Sequence, residues 1–211
     1  MTALIIVDVQ RDFLPGGALP VPEGDAIIPV LNRIQTRYPL VALTQDWHPP
    51  DHLSFASQHP GKQPLDRIEL DSLEQVLWPD HCVWDTPGAA LADGLNTGPA
   101  AAIFRKGMDR RVDSYSAFFD NGRRRQTGLA DWLRGLGVSE VHVAGLAADY
   151  CVACTARDAA ELGFQVALLE DATRPISAEG FARIAAELRQ RGVRIGPSET
   201  LAPHADDRPS R

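Results

Sequence analysis

The feature that most restricts what this chain can fold into is a series of short, almost uninterrupted apolar runs separated by helical patterns. The runs are ALIIVD (3–8), LVALTQD (40–46), AAIFRKG (101–107), EVHVAGL (140–146), FQVALLED (164–171) and a weaker VRIG (193–196). A strand with one wet face alternates apolar and polar residues, whereas continuous apolar runs suit strands covered on both faces. Helical patterns occupy about 25–37, 127–135, 149–162 and 178–191, with Thr127 and Ser177 as N-cap candidates and stop signals at Pro39, Gly135, Gly163 and Gly192. The expected fold is therefore α/β: an open, mostly parallel, doubly wound sheet of about six strands with helices on both faces. Right-handed crossovers bring every strand's C-terminal end to one edge, where ligands bind in such sheets. One domain is expected over 1–202, with a loop region at about 46–99 containing one helical stretch (about 66–77), and a frayed polar tail at 203–211.

Composition narrows the function classes. A formal net charge of -7, with no basic run longer than Arg123 to Arg125, argues against a nucleic-acid partner. The opening MTALIIVDVQRDF has no basic stretch before its apolar residues, and that run breaks at Asp8, too soon for a signal peptide or membrane span. The expectation is a cytoplasmic protein with no membrane partner, whose oligomeric state is open, a homo-oligomer included. In a reducing compartment its three cysteines are free thiols, available for packing, metal binding or catalysis.

Read to their C-terminal ends, the strands deliver Asp8, Asp46 with His48, Lys106, Cys151 shortly past its strand, and Asp171. Any one such acid is more often a turn former or helix cap. Together they divide into two sets. Asp8, Lys106 and Cys151 supply a base, a cation and a thiol, the components of an activated cysteine nucleophile, assisted by the helix opening near Asp149. Asp46 and His48 in TQDWHPPDH, with His81 in WPDHC, supply a carboxylate and two imidazoles, which suit Zn, Fe or Mn with positions left open; His52 is an extra candidate ligand. Cys151 and Cys154 also form a C-x-x-C pair, so a thiol oxidoreductase remains an alternative, as does a metal-binding module without catalysis.

The stretches DVQRDFLPGGALPVPEGD, TQDWHPPDHLSF, WPDHCVWDTPGAAL, FRKGMDRRVDSYSAF and VAGLAADYCVACTARDAAELG resemble, in order and spacing, those of nicotinamidases within the isochorismatase-like cysteine hydrolases, over about residues 3–175. The resemblance implies sheet order 3-2-1-4-5-6 and hydrolysis of nicotinamide to nicotinate and ammonia through a cysteine thioester, in NAD salvage. It implies Asp8, Lys106 and Cys151 as the triad. Asp46, His48 and His81 would be ligands of one divalent ion, zinc first, with Fe or Mn as alternatives. The N–H groups of Ala147 and Cys151 would form an oxyanion hole after a non-proline cis peptide, and Phe13, Leu19, Trp78, Tyr115 and Tyr150 would line the pyridine pocket. Another amidase or isochorismatase-like hydrolase of the same fold is the nearest alternative.

Overall fold

The computed structural model describes residues 1–203, so the expected tail, apart from Pro203, lies outside the described residues. Eight strands occur in the order β1 (Thr2–Val7), β2 (Leu40–Asp46), β3 (Arg67–Leu70), β4 (Leu73–Val76), β5 (Ala102–Lys106), β6 (Glu140–Leu146), β7 (Gln165–Arg174) and β8 (Arg194–Gly196). The α-helices are α1 (Ile28–Ile34), α2 (Leu129–Gly135), α3 (Cys151–Glu161), α4 (Ala178–Gln190) and α5 (Ser198–Leu201). Six strands form one sheet in the order β5-β2-β1-β6-β7-β8, with every pairing parallel. Numbered within the sheet alone, this is 3-2-1-4-5-6, and the switch point lies between β1 and β6.

The apolar runs are continuous because each face of the sheet has its own cover. Along β1, Ala3, Ile5 and Val7 join a core with Leu133 of α2, Val152 and Ala156 of α3 and Leu188 of α4. The alternate residues Leu4 and Ile6 pack on the other face with Leu31 and Ile34 of α1 and Leu95 of the long loop region. Ser177 caps α4, its side chain accepting from the Gly180 N–H. Thr127 falls one place outside α2, whose N-cap is Gly128 at φ 87, yet its hydroxyl accepts from the Leu129 N–H of the first turn at 3.2 Å while donating to the Ala117 carbonyl.

The stretch at 66–77 is not helical. It is an antiparallel hairpin of β3 and β4, with Leu70 opposite Leu73 and Ile68 opposite Gln75. The two turn residues between them, Asp71 and Ser72, both have positive φ (50 and 65), the geometry of a tight two-residue hairpin turn. Asp71 is further held by Arg111, and Gln75 Nε2 donates to Asp113 Oδ2 at 3.1 Å, so the hairpin is anchored to the segment after β5.

β7 runs three residues past its expected end at 171. The β6–β7 register shifts between Val143 and Gly145, after which Gly145 pairs with Thr173 and Leu146 with Arg174. The Arg174 carbonyl then accepts from the Ala148 N–H, fixing the turn between β6 and α3. Asp171 consequently sits within β7, where its carboxylate accepts from the Ser198 N–H and hydroxyl at the start of α5; it does not join the other strand-end groups. Among the described residues, no helix is long and apolar enough to cross a membrane.

Gly145 has φ 111, and an added Cβ would lie 2.1 Å from the Val7 carbonyl oxygen. Gly145→Ala is therefore expected to destabilise the protein by about 3 kcal/mol, read as a lower urea midpoint at unchanged slope.

Candidate active site

Three neighbouring strands and the first turn of α3 meet at Lys106. Its ammonium is fully buried, 2.8 Å from Asp8 Oδ2 and 2.6 Å from Asp46 Oδ1. It also donates to the Ser114 carbonyl at 2.8 Å and lies 3.5 Å from Cys151 Sγ. Burial alone would push this lysine's pKa down, but the two carboxylates outweigh it and hold Lys106 well above its ordinary value, so it is a fixed cation.

Asp8 stands just past β1 with φ 49, uncommon for a residue with a side chain. Its Oδ1 accepts from the Thr44 hydroxyl at 2.6 Å, while its N–H donates to the same Thr44 oxygen at 3.2 Å. Oδ2 meets Lys106 as an ion pair without hydrogen-bond alignment, which leaves it the oxygen open to a proton. Burial raises the Asp8 pKa to about 6 despite Lys106. Cys151 is the first residue of α3. Burial pushes its thiol well up, against the opposing pull of Lys106. Lys106 favours the thiolate, and burial opposes it more strongly. The thiol needs a base at the moment of attack, and oxygens of Asp8 and Asp46 lie within 4.8 Å of Cys151 Sγ.

Asp46, His48 and His81 bring one ligand atom each within 4.8 Å of one another, all three side chains buried. Asp46 is the last residue of β2, and Gln10 clamps it by accepting from its N–H and donating to its carbonyl, both at 2.8 Å. His48 Nδ1 bonds the Gly107 carbonyl and His81 Nδ1 the Pro79 carbonyl, both at 2.8 Å. A carbonyl can only accept, so each Nδ1 carries the proton and each Nε2 presents a lone pair. Burial lowers both imidazole pKa values to about 4, which keeps them neutral. This donor set fits a divalent cation.

His52 is buried with its ring centroid 4.5 Å from that of His48, but its Nδ1 accepts from the Ser54 N–H at 3.1 Å. A neutral His52 then carries its proton on Nε2 and offers no lone pair from that atom. It groups instead with His48 and Asp113.

A cleft beside these groups is lined by Phe13, Leu19, Trp78, Tyr115 and Tyr150 together with Asp46, His81, Asp113, Ala147, Cys151 and Ile176. Trp78 and Tyr150 meet edge to face at 4.9 Å, and Trp78 Nε1 donates to the Tyr115 hydroxyl at 3.1 Å. The Leu146–Ala147 peptide is cis. Among the described residues, neither the Ala147 nor the Cys151 N–H is paired with a backbone acceptor.

Sequence reasoning passed over Ile176, Asp113, Gln10 and Asp12. Asp12 Oδ2 accepts from the Cys82 N–H at 2.7 Å and its carbonyl accepts from the Leu19 N–H at 2.9 Å, which ties the Phe13–Leu19 wall to the turn bearing His81. The signal for Gln10 and Asp12 was their place just after Asp8, inside a motif already noted. Asp113 lies likewise inside the noted stretch FRKGMDRRVDSYSAF, whereas Ile176 carries no local signal.

A family model described as the isochorismatase domain matches residues 2–200. A nicotinamidase of Escherichia coli (strain K12) is 51% identical over 179 residues, covering 83% of this chain and 84% of the relative. Among solved structures, an Acinetobacter baumanii nicotinamidase and pyrazinamidase superposes with a TM-score of 0.93 at 44% identity, over 95% of this chain and 97% of the other. An L. infantum relative in complex with nicotinate gives 0.85 at 39% identity over 97% and 96%. A pyrazinamidase of Pyrococcus horikoshii in complex with zinc gives 0.76 at 40% identity over 93% and 98%.

Gly107 adopts φ 66, and an added Cβ would lie 2.4 Å from Cε1 of His48. Gly107→Ala should displace that imidazole and lower divalent-ion affinity about tenfold or more, measured by metal analysis after dialysis against a graded chelator.

Proposed function

Because the chain belongs to the isochorismatase family, we propose that it is a metal-dependent nicotinamidase, releasing nicotinate and ammonia from nicotinamide in NAD salvage. The observation that carries this reading is the convergence of Asp8, Lys106 and Cys151 beside a cleft that Asp46 and His81 also line. The similarity to nicotinamidases, one of them 51% identical, supports the substrate.

In this mechanism Oδ2 of Asp8 takes the Cys151 proton as sulfur adds to the carboxamide carbon. Lys106 offsets the negative charge passing between carboxylate and thiolate without leaving its place. The N–H groups of Ala147 and Cys151 receive the oxyanion, and each such donor is worth about 3 kcal/mol in other enzymes. Asp8 then hands its proton to the departing nitrogen, because an amide anion is too basic to leave alone. Ammonia departs and leaves a thioester; Asp8 next takes a proton from water, whose hydroxyl cleaves the thioester to nicotinate and returns the thiol. Trp78, Tyr115, Tyr150 and Phe13 hold the planar ring against apolar surface. Asp46, His48 and His81 would hold a divalent cation, zinc in the first instance, supplying a Lewis-acid position for the ring nitrogen.

Cys151→Ala is expected to abolish ammonia release from nicotinamide, and full turnover by that variant would remove the nucleophile from the scheme. His48→Ala should instead raise KM and strip the metal, with a smaller loss in kcat. Asp8 must be ionised to accept the proton and its pKa stands at about 6, so kcat/KM should fall as the pH drops through that value, while Asp8→Asn should lose activity across the whole range.

A further inference from the structure

The amide chemistry uses Cys151 and leaves the second cysteine of the C-x-x-C pair without a role. We propose that Cys154 is a resolving thiol: when a hydroperoxide oxidises Cys151, Cys154 closes a disulfide with it and holds the nucleophile in a recoverable form.

Cys151 and Cys154 are the first and fourth residues of α3. Helical positions three apart have Cα atoms about 5 Å from each other, within the span that a disulfide bridges. Both thiols are free. They flank one side chain, Tyr115, which lines the cleft with Cys151 on one side and, on the other, an open hollow with Cys154 and Arg157. Cys154 is thus partly exposed while Cys151 is buried. Burial raises the Cys154 thiol pKa, and Arg157, which donates to its Sγ at 3.0 Å, is the cation that opposes this as the thiol ionises in the resolving step. The Cys154 N–H is held by the Tyr150 carbonyl at 2.8 Å, so closure calls for side-chain rotation on a fixed backbone.

The steps balance. Asp8 takes the Cys151 proton as the sulfur attacks one oxygen of the hydroperoxide; the S–O bond forms, the O–O bond breaks, and the other oxygen leaves with that proton as alcohol or water. Cys154 then attacks the sulfenic sulfur; the S–S bond forms, the S–O bond breaks, and hydroxide departs with the Cys154 proton as water. Two thiols lose two electrons and the hydroperoxide gains them. The first step rests on the reading of Cys151 as the nucleophile proposed above.

Trypsin should release residues 135–157 as one peptide carrying both cysteines. After graded hydrogen peroxide, the wild-type peptide should lose the mass of two hydrogens in step with ammonia-releasing activity, and dithiothreitol should restore both. Cys154→Ser should match the wild type before oxidation. After the same exposure its peptide should gain two or three oxygens, and its recovery under dithiothreitol should be about tenfold lower. Over-oxidation of Cys151 in the wild type without the cross-linked peptide, or equal recovery in Cys154→Ser, would overturn the proposal. The mass of the peptide judges the disulfide whether or not nicotinamide is the substrate, whereas turnover by Cys151→Ala judges the amide chemistry.

Discussion

An ammonium group shut away from water must be matched by fixed negative charge, and at Lys106 this requirement organises the whole site. The β2–β5 register sets Asp46 beside Lys106, and β1, on the other side of β2, supplies Asp8. Removing one partner of a buried pair leaves an uncompensated charge, at a cost of about 3 to 5 kcal/mol. Asp46 divides its duties: Oδ1 belongs to Lys106, while Oδ2 faces Nε2 of His48 at 3.9 Å. The thiol set and the imidazole set are therefore one electrostatic network joined through a single carboxylate.

The same network couples the sulfur to Asp8 through Lys106. Thr44 occupies one Asp8 oxygen and leaves the other turned toward Lys106. Protonation of Asp8 and ionisation of Cys151 then exchange charge beside a cation that both groups already feel. A site built this way holds carboxylate, ammonium and thiol in fixed positions before any ligand arrives.

Much of this was legible in the chain. Parallel strands covered on both faces leave an unbroken apolar run, so ALIIVD and EVHVAGL declare themselves, and the residues that end those runs land at one edge by topology alone. Where periodicities overlap, legibility failed. Leu70, Leu73 and Leu77 are spaced as a helix stripe, yet Asp71 and Ser72 accept positive φ and turn the chain into a hairpin. Asp171 looked like the other strand-end acids until a register shift beside Gly145 carried β7 three residues further. Asp113 stood inside a noted motif but its part in the site was not legible there, because it arises from Gln75, His48 and His52, which tertiary folding brings near it.

The central pairing of β1 with β6 joins Thr2 to Glu140 and Val7 to Gly145, 138 residues apart at Thr2 and Glu140, the longest separation of any pairing in the sheet. Closing so long a loop is a late and slow event in folding. Asp8 follows β1, Lys106 ends β5 and Cys151 follows β6, so the sulfur meets Asp8 only when this long-range pairing is made. The grouping of thiol, carboxylate and ammonium is thereby a property of the completed sheet, and no shorter piece of the chain holds all three together.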